Sequence, residues 1–101
     1  MKLQTSLIAV KRIESTEPIA NFQKEKIEIG AFLLLTAQGT INPLIVKRKD
    51  LNTYEVVDGH FIFWCAVRAR EIDAAKGEHI QAIILDEDNQ DSLMLQILHF
   101  R

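Results

Sequence analysis

The residue types that could do chemistry gather in one stretch, Tyr54 to Glu71, and within it at Asp58-Gly59-His60. The apolar, β-branched run before Asp58 reads as a strand, and the run after Gly59 reads as a helix. A strand passing through a glycine into a helix N-terminus is a common place to hold a phosphate, because free backbone N–H groups point outward there. His60 would stand at that helix start and could donate to such an anion. The plainer alternatives are a turn that needs a positive φ at Gly59 and a histidine facing solvent. Taken alone, the residues favour the plainer pair, since a lone glycine is a weak signal.

Other charged clusters weigh less. Lys47-Arg48-Lys49 is the densest basic run and could touch nucleic-acid phosphates. Asp50 follows it directly, and the chain carries a net charge of -2, so a solvated strand end is the favoured reading. Asp86-Glu87-Asp88 reads as a helix start rather than a metal site, because carboxylates suit the positive end of a helix dipole. His60, His79 and His99 share no metal-ligand spacing, so no metal site is expected. Cys65 is the single cysteine, which excludes an internal disulfide and fits a reducing cytoplasm. It is expected to be a small buried apolar residue.

The elements that must position these residues follow from hydrophobic spacing. Leu3 to Val10 alternates as a strand, and Glu14 to Pro18 is a polar connector. Gln23 to Gln38 is a helix with Ile27, Ala31, Leu34 and Leu35 on one face. Gly30 inside it marks close packing against another element, and Gly39 is the expected stop. Leu44 to Arg48 and Tyr54 to Val57 form a hairpin turning at Asp50 to Thr53. His60 to Asp73 is the second helix, Ile80 to Leu85 a strand, and Ser92 to Phe100 a third, amphipathic helix. The helix start Phe61 to Val67 is apolar all round, so it is either fully buried or partly a surface for a second copy or a protein partner.

A chain of 101 residues is one domain, 1–101, and its 48% hydrophobic and 26% charged residues are those of a globular protein. The acidic balance argues against a wholly basic nucleic-acid binder. No apolar run is long enough to span a membrane, and the N-terminus lacks a signal-peptide pattern. The expected fold class is α+β, a small mixed sheet with a central β-hairpin and about three helices.

Three segments, in order, resemble the ParB N-terminal and sulfiredoxin superfamily. The first is Ala37-Gln38-Gly39 followed by Ile41-Asn42-Pro43-Leu44-Ile45-Val46. The second is Tyr54-Glu55-Val56-Val57-Asp58-Gly59-His60, with Ala66 and Arg68 in the helix behind it. The third is Glu78 to Leu85. The wording of the second segment is most similar to cyanobacterial ParB-like proteins, some of which carry a Rho-termination-factor-like segment behind such a domain. The resemblance implies a nucleotide pocket at the glycine turn, since ParB proteins bind CTP there and sulfiredoxins use ATP. On this chain the pocket would fall on Asn42, Asp58, Gly59, His60 and Arg68, with a nucleoside triphosphate and magnesium as its ligands.

The chain departs from both patterns at the turn. ParB proteins place a glutamate and two arginines straight after the glycine, where this chain has His60, Phe61 and Ile62. Sulfiredoxins place a cysteine, a histidine and an arginine there, and Cys65 lies too deep in the helix to replace that cysteine. The expectation is therefore a non-enzymatic ParB-like module that binds a nucleotide, a nucleic acid or a protein partner. Its setting would be the N-terminal part of a longer cytoplasmic protein that works on DNA or RNA, as in chromosome partitioning. A nucleotide hydrolase or nuclease of the superfamily and an oligomerisation domain are the alternatives.

Overall fold

A five-stranded mixed sheet forms because short β-branched runs are buried on one or both faces by helices of matching period. The computed structural model describes residues 3–101. In chain order the elements are β1 (Ser6–Ala9), β2 (Ile13–Glu14), α1 (Lys24–Ala37), β3 (Leu44–Arg48), β4 (Tyr54–Asp58), α2 (His60–Ile72), β5 (His79–Leu85) and α3 (Gln90–Phe100). Short 3-10 turns at Val10–Arg12 and Ile19–Asn21 join the first pieces. The sheet runs β1-β5-β3-β4-β2. β1 lies antiparallel to β5, β5 parallel to β3, β3 antiparallel to β4, and β4 parallel to β2.

Alternation along the central strands divides two cores. Leu44, Val46, Tyr54, Val56, Ile80 and Ala82 point to the face covered by α2. Leu44 and Val46 are fully buried there, each contributing about 1.5–3 kcal/mol of hydrophobic stabilisation. Ile45 and Ile83 point the other way, against Leu93 and Ile97 of α3. α1 packs on the outer side of α2, so α2 is sandwiched between a helix and the sheet.

The structure confirms the hairpin, its register fixed by Lys49 N–H and Asp50 N–H donating to the Thr53 carbonyl. It corrects three boundaries. The first strand is only Ser6–Ala9, because Val10 begins a 3-10 turn. The polar connector begins inside a strand, since Ile13 and Glu14 pair in parallel with Tyr54 and Glu55. α1 ends on Gln38, which takes the left-handed cap at φ 53°, so Gly39 is not the residue that stops it. Gly39 instead leaves room for the Gln81 side chain. The acidic run forms the turn that leads into α3 rather than its first turn: the Asp86 carboxylate accepts from Asp88 N–H at 2.8 Å and Asn89 N–H at 2.9 Å, and the helix begins at Gln90.

Candidate functional site: a glycine turn and the cleft beside it

β4 ends at Asp58, and the chain then turns through Gly59 at φ +97° into α2. A β-carbon on Gly59 would lie 2.9 Å from Leu44 Cδ2, so both the dihedral and the space require glycine. No side chain caps the helix start. The first N–H groups of α2 lack the i−4 partners of a continuing helix; Phe63 N–H, donating to the Gly59 carbonyl at 2.9 Å, opens the ladder.

Beside the turn lies a cleft of about 490 Å³ between the second half of α1, the 39–42 loop and the start of α2. Leu33, Leu34, Phe61 and Ile62 supply apolar wall, while Thr40 and Asn42 stand at the mouth. Among the described residues no charged side chain lines it. The loop is held in place by polar bonds. Thr40 N–H donates to the Gln81 side-chain oxygen at 2.9 Å, and Asn42 N–H donates to Thr40 Oγ1 at 3.0 Å. Cys65 reaches the cleft's inner end, yet it is 2% exposed, and burial pushes its thiol up to about 11. A thiol that stays protonated is a poor nucleophile.

The anticipated site residues separate into those at the turn and those away from it. Asn42 and Asp58 come together through a residue that the sequence did not single out, Arg101. Its guanidinium donates to Asp58 Oδ2 at 2.6 Å, to the Asn42 side-chain oxygen, and to the Pro43 carbonyl at 3.2 Å. His60 turns elsewhere. Its Nδ1 is hydrogen-bonded to Ser15 Oγ at 2.6 Å, while Trp64 Nε1 donates to the Glu17 carbonyl at 2.9 Å. These two contacts moor the 15–17 loop on α2. Arg68 pairs with Glu28 of α1 at 2.6 Å and lines a second cleft, of about 470 Å³, with Phe22, Lys24 and Glu71. It stands eight positions beyond His60, about 12 Å along the helix.

No protein-family model matches the sequence, and no curated protein matches it either. Solved structures do. The C-terminally truncated chromosome-partitioning protein ParB from Caulobacter crescentus, complexed with CTP-gamma-S, superposes with a TM-score of 0.62 over 95% of this chain at 15% identity. The fold is ParB-like. SbnI with a C-terminal truncation, from Staphylococcus aureus, matches with a TM-score of 0.59 over 83% of the chain, also at 15% identity. This chain spans 52% of that ParB chain and 31% of that SbnI chain. The fold expected from the ordered segments is thus the fold found.

Within this ParB-like frame the basic run sits at the far end of β3, about 10 Å from Leu44 by strand rise. Lys47 pairs with Glu55 at 3.6 Å and Lys49 with Glu14 at 2.7 Å. Arg48 donates to Tyr54 OH at 2.9 Å and lies over the Tyr54 ring. All three are engaged, two of them in exposed ion pairs of the weak kind. The residues of Phe61 to Val67 are packed too: Phe63, Cys65 and Ala66 are buried, and the rest are half-buried. Phe61 meets Phe22 with ring centroids 5.6 Å apart. Among the described residues no group of three or more His, Cys, Asp and Glu could hold a metal. Magnesium brought by a nucleotide would find Asp58 beside the turn, already paired with Arg101. Among the described residues no helix is long and apolar enough to cross a membrane.

Arg101 and Thr40 were missed for a physical reason. Arg101 is 43 positions from Asp58, and no local pattern announces a contact between the end of α3 and the end of β4. Thr40 lies in a loop whose role as a cleft rim exists only once α1 and α2 are packed.

Proposed function

We propose that this chain is a non-enzymatic ParB-like module that binds a nucleotide in the cleft beside Gly59. The observation that carries the reading is the cleft itself. Its volume of about 490 Å³ falls in the range of small-molecule sites, and it opens beside the uncapped start of α2 in the fold of a ParB solved with a CTP analogue. Phe61 offers an aromatic face, and Thr40 and Asn42 are the polar residues of the lining. The site's chemistry favours binding over catalysis, since the carboxylate at the turn, Asp58, is paired with Arg101 and the cleft thiol is held protonated. Of the anticipated residues only Asn42 lines the cleft; Asp58 and Gly59 stand at the turn beside it, with Arg101 joining Asp58 to Asn42. His60 and Arg68 support it indirectly, by holding the 15–17 loop and α1 against α2.

The resemblance to cyanobacterial ParB-like proteins with a Rho-termination-factor-like segment suggests the setting: a longer cytoplasmic protein that works on DNA or RNA. Calorimetry with the four ribonucleosides and their triphosphates, with and without magnesium, tests the binding. Ala37 is exposed and lines the cleft, so Ala37→Phe should fill it without touching the core. Binding to the parent protein and its loss in Ala37→Phe at unchanged Tm is the expected result. No binding by any nucleoside or nucleotide would sink the reading.

A second reading has its own observation. Ile29, Phe32 and Leu33 form a stripe on the outer side of α1, and they are 60%, 66% and 59% exposed. Such a stripe is the kind of surface that a protein partner or a second copy covers.

A further inference from the structure

Resting on the nucleotide reading above, we infer that the cleft selects the base and sugar of its ligand and gives the phosphates no cationic side chain, so that an uncharged nucleoside binds at least as tightly as its triphosphate. The argument is one of charge. Every side chain lining the cleft is uncharged. A triphosphate moved against such walls gives up hydration and receives no cation in exchange.

Among the described residues no cation lines the cleft, and the cation at the turn is already committed. Arg101, the one guanidinium at the turn, has Asp58, Asn42 and the Pro43 carbonyl as acceptors, and the Asp58 carboxylate cancels its charge locally. Asp58 itself would repel a phosphate placed at the turn. Arg68 is paired with Glu28, Lys47 with Glu55 and Lys49 with Glu14. What is left for an anion is the start of α2, worth about half a positive charge. The positions directly after Gly59, where a side chain could reach a phosphate held at the turn, are His60, Phe61 and Ile62. His60 is bonded to Ser15, and the other two line the cleft as apolar wall.

The same walls suit a nucleoside. A base can lie against Phe61, Ile62 and Leu33, with its polar edge toward the Asn42 side-chain amide, since Thr40 Oγ1 is taken by the Asn42 backbone. That is the usual composition of a small-molecule site: mostly apolar lining with a few polar groups that fix orientation.

The deciding experiment is a calorimetric titration of the intact protein with adenosine, cytidine, guanosine and uridine, each beside its mono- and triphosphate, at low and at high salt. The inference expects at least one nucleoside to bind as tightly as, or more tightly than, its own triphosphate with magnesium. It also expects an affinity that salt leaves unchanged, because no ion pair forms. A triphosphate that binds more tightly than its nucleoside, with an advantage that salt erodes, would overturn the inference and leave the nucleotide reading standing. Silence from every nucleoside and every nucleotide would remove both.

Discussion

At Gly59 the backbone turns with φ +97° directly over Leu44, whose Cδ2 would lie 2.9 Å from a β-carbon placed there. Two costs then act together in Gly59→Ala. A non-glycine residue in the left-handed region stores strain of about 1–3 kcal/mol, and the new methyl must displace a side chain that is fully buried. The variant should therefore lose about 2 kcal/mol or more of stability, read as a lower urea midpoint with an unchanged slope. A loss below about 0.5 kcal/mol, the level of an ordinary surface change, would mean that the turn can take another conformation. At this scale the sequence was legible where a residue answers to its own neighbours. Gly59 was found because strand, glycine and helix adjoin in the chain. His60 was found, but its partner Ser15 lies 45 positions away, so its bond could not be read. Arg68 was placed two turns into the helix, and Glu28 takes it there.

At the scale of elements, α1 and α2 touch most closely at Gly30. A β-carbon at Gly30 would meet Cys65 Sγ, with Cys65 Cβ 3.1 Å away. In an open helix Gly→Ala gains about 1 kcal/mol of helix propensity. Here overpacking at about 1–3 kcal/mol should win, so Gly30→Ala is expected to lower Tm. Removing the sulfur should relieve part of that overpacking. In a Cys65→Ala background Gly30→Ala should cost less than it does in the parent, giving a coupling energy on the order of 1 kcal/mol in a double-mutant cycle. Additive effects would show that the helices separate freely. The interruption at Gly30 was visible as a break in a helical pattern, and its meaning as a close contact was correctly read. The period of α2 was legible as well, but an all-round apolar helix start leaves burial and interface open. α2 is packed on both sides, by α1 and by the sheet, a fact of tertiary arrangement that no window of sequence contains. β2 was missed for a related reason: two residues are too few to display alternation, and Ile13 and Glu14 become a strand by pairing with β4.

For the whole molecule, the apolar surface left over lies elsewhere than the sequence suggested. Phe61 to Val67 contains no fully exposed residue, whereas Ile29, Phe32 and Leu33 on α1 and Leu95, Leu98 and Phe100 on α3 are open to solvent on the outer sides of the two layers. A chain this short cannot cover both faces of its sheet and also bury the far sides of the covering helices. The α1 stripe is the better candidate for a docking surface, because its three residues are spaced i, i+3 and i+4 and so form one continuous face. Ile29→Lys with Phe32→Lys tests this at the level of assembly. Neither side chain contributes to the two buried clusters, so the folded monomer should keep its stability to within about 0.5 kcal/mol per substitution. If the stripe mediates self-association, the parent protein should show a light-scattering mass that rises with concentration, and the double variant should stay at the mass of one chain. A parent that stays at one chain's mass throughout would remove self-association and leave a different protein as the partner. A marked fall in stability of the variant would instead assign the stripe to the fold's own packing. The cleft beside the turn shares Leu33 with this stripe, so Leu33 stays in place, and cleft binding and assembly can be measured on the same double variant. Loss of association with nucleoside binding retained would separate the two surfaces.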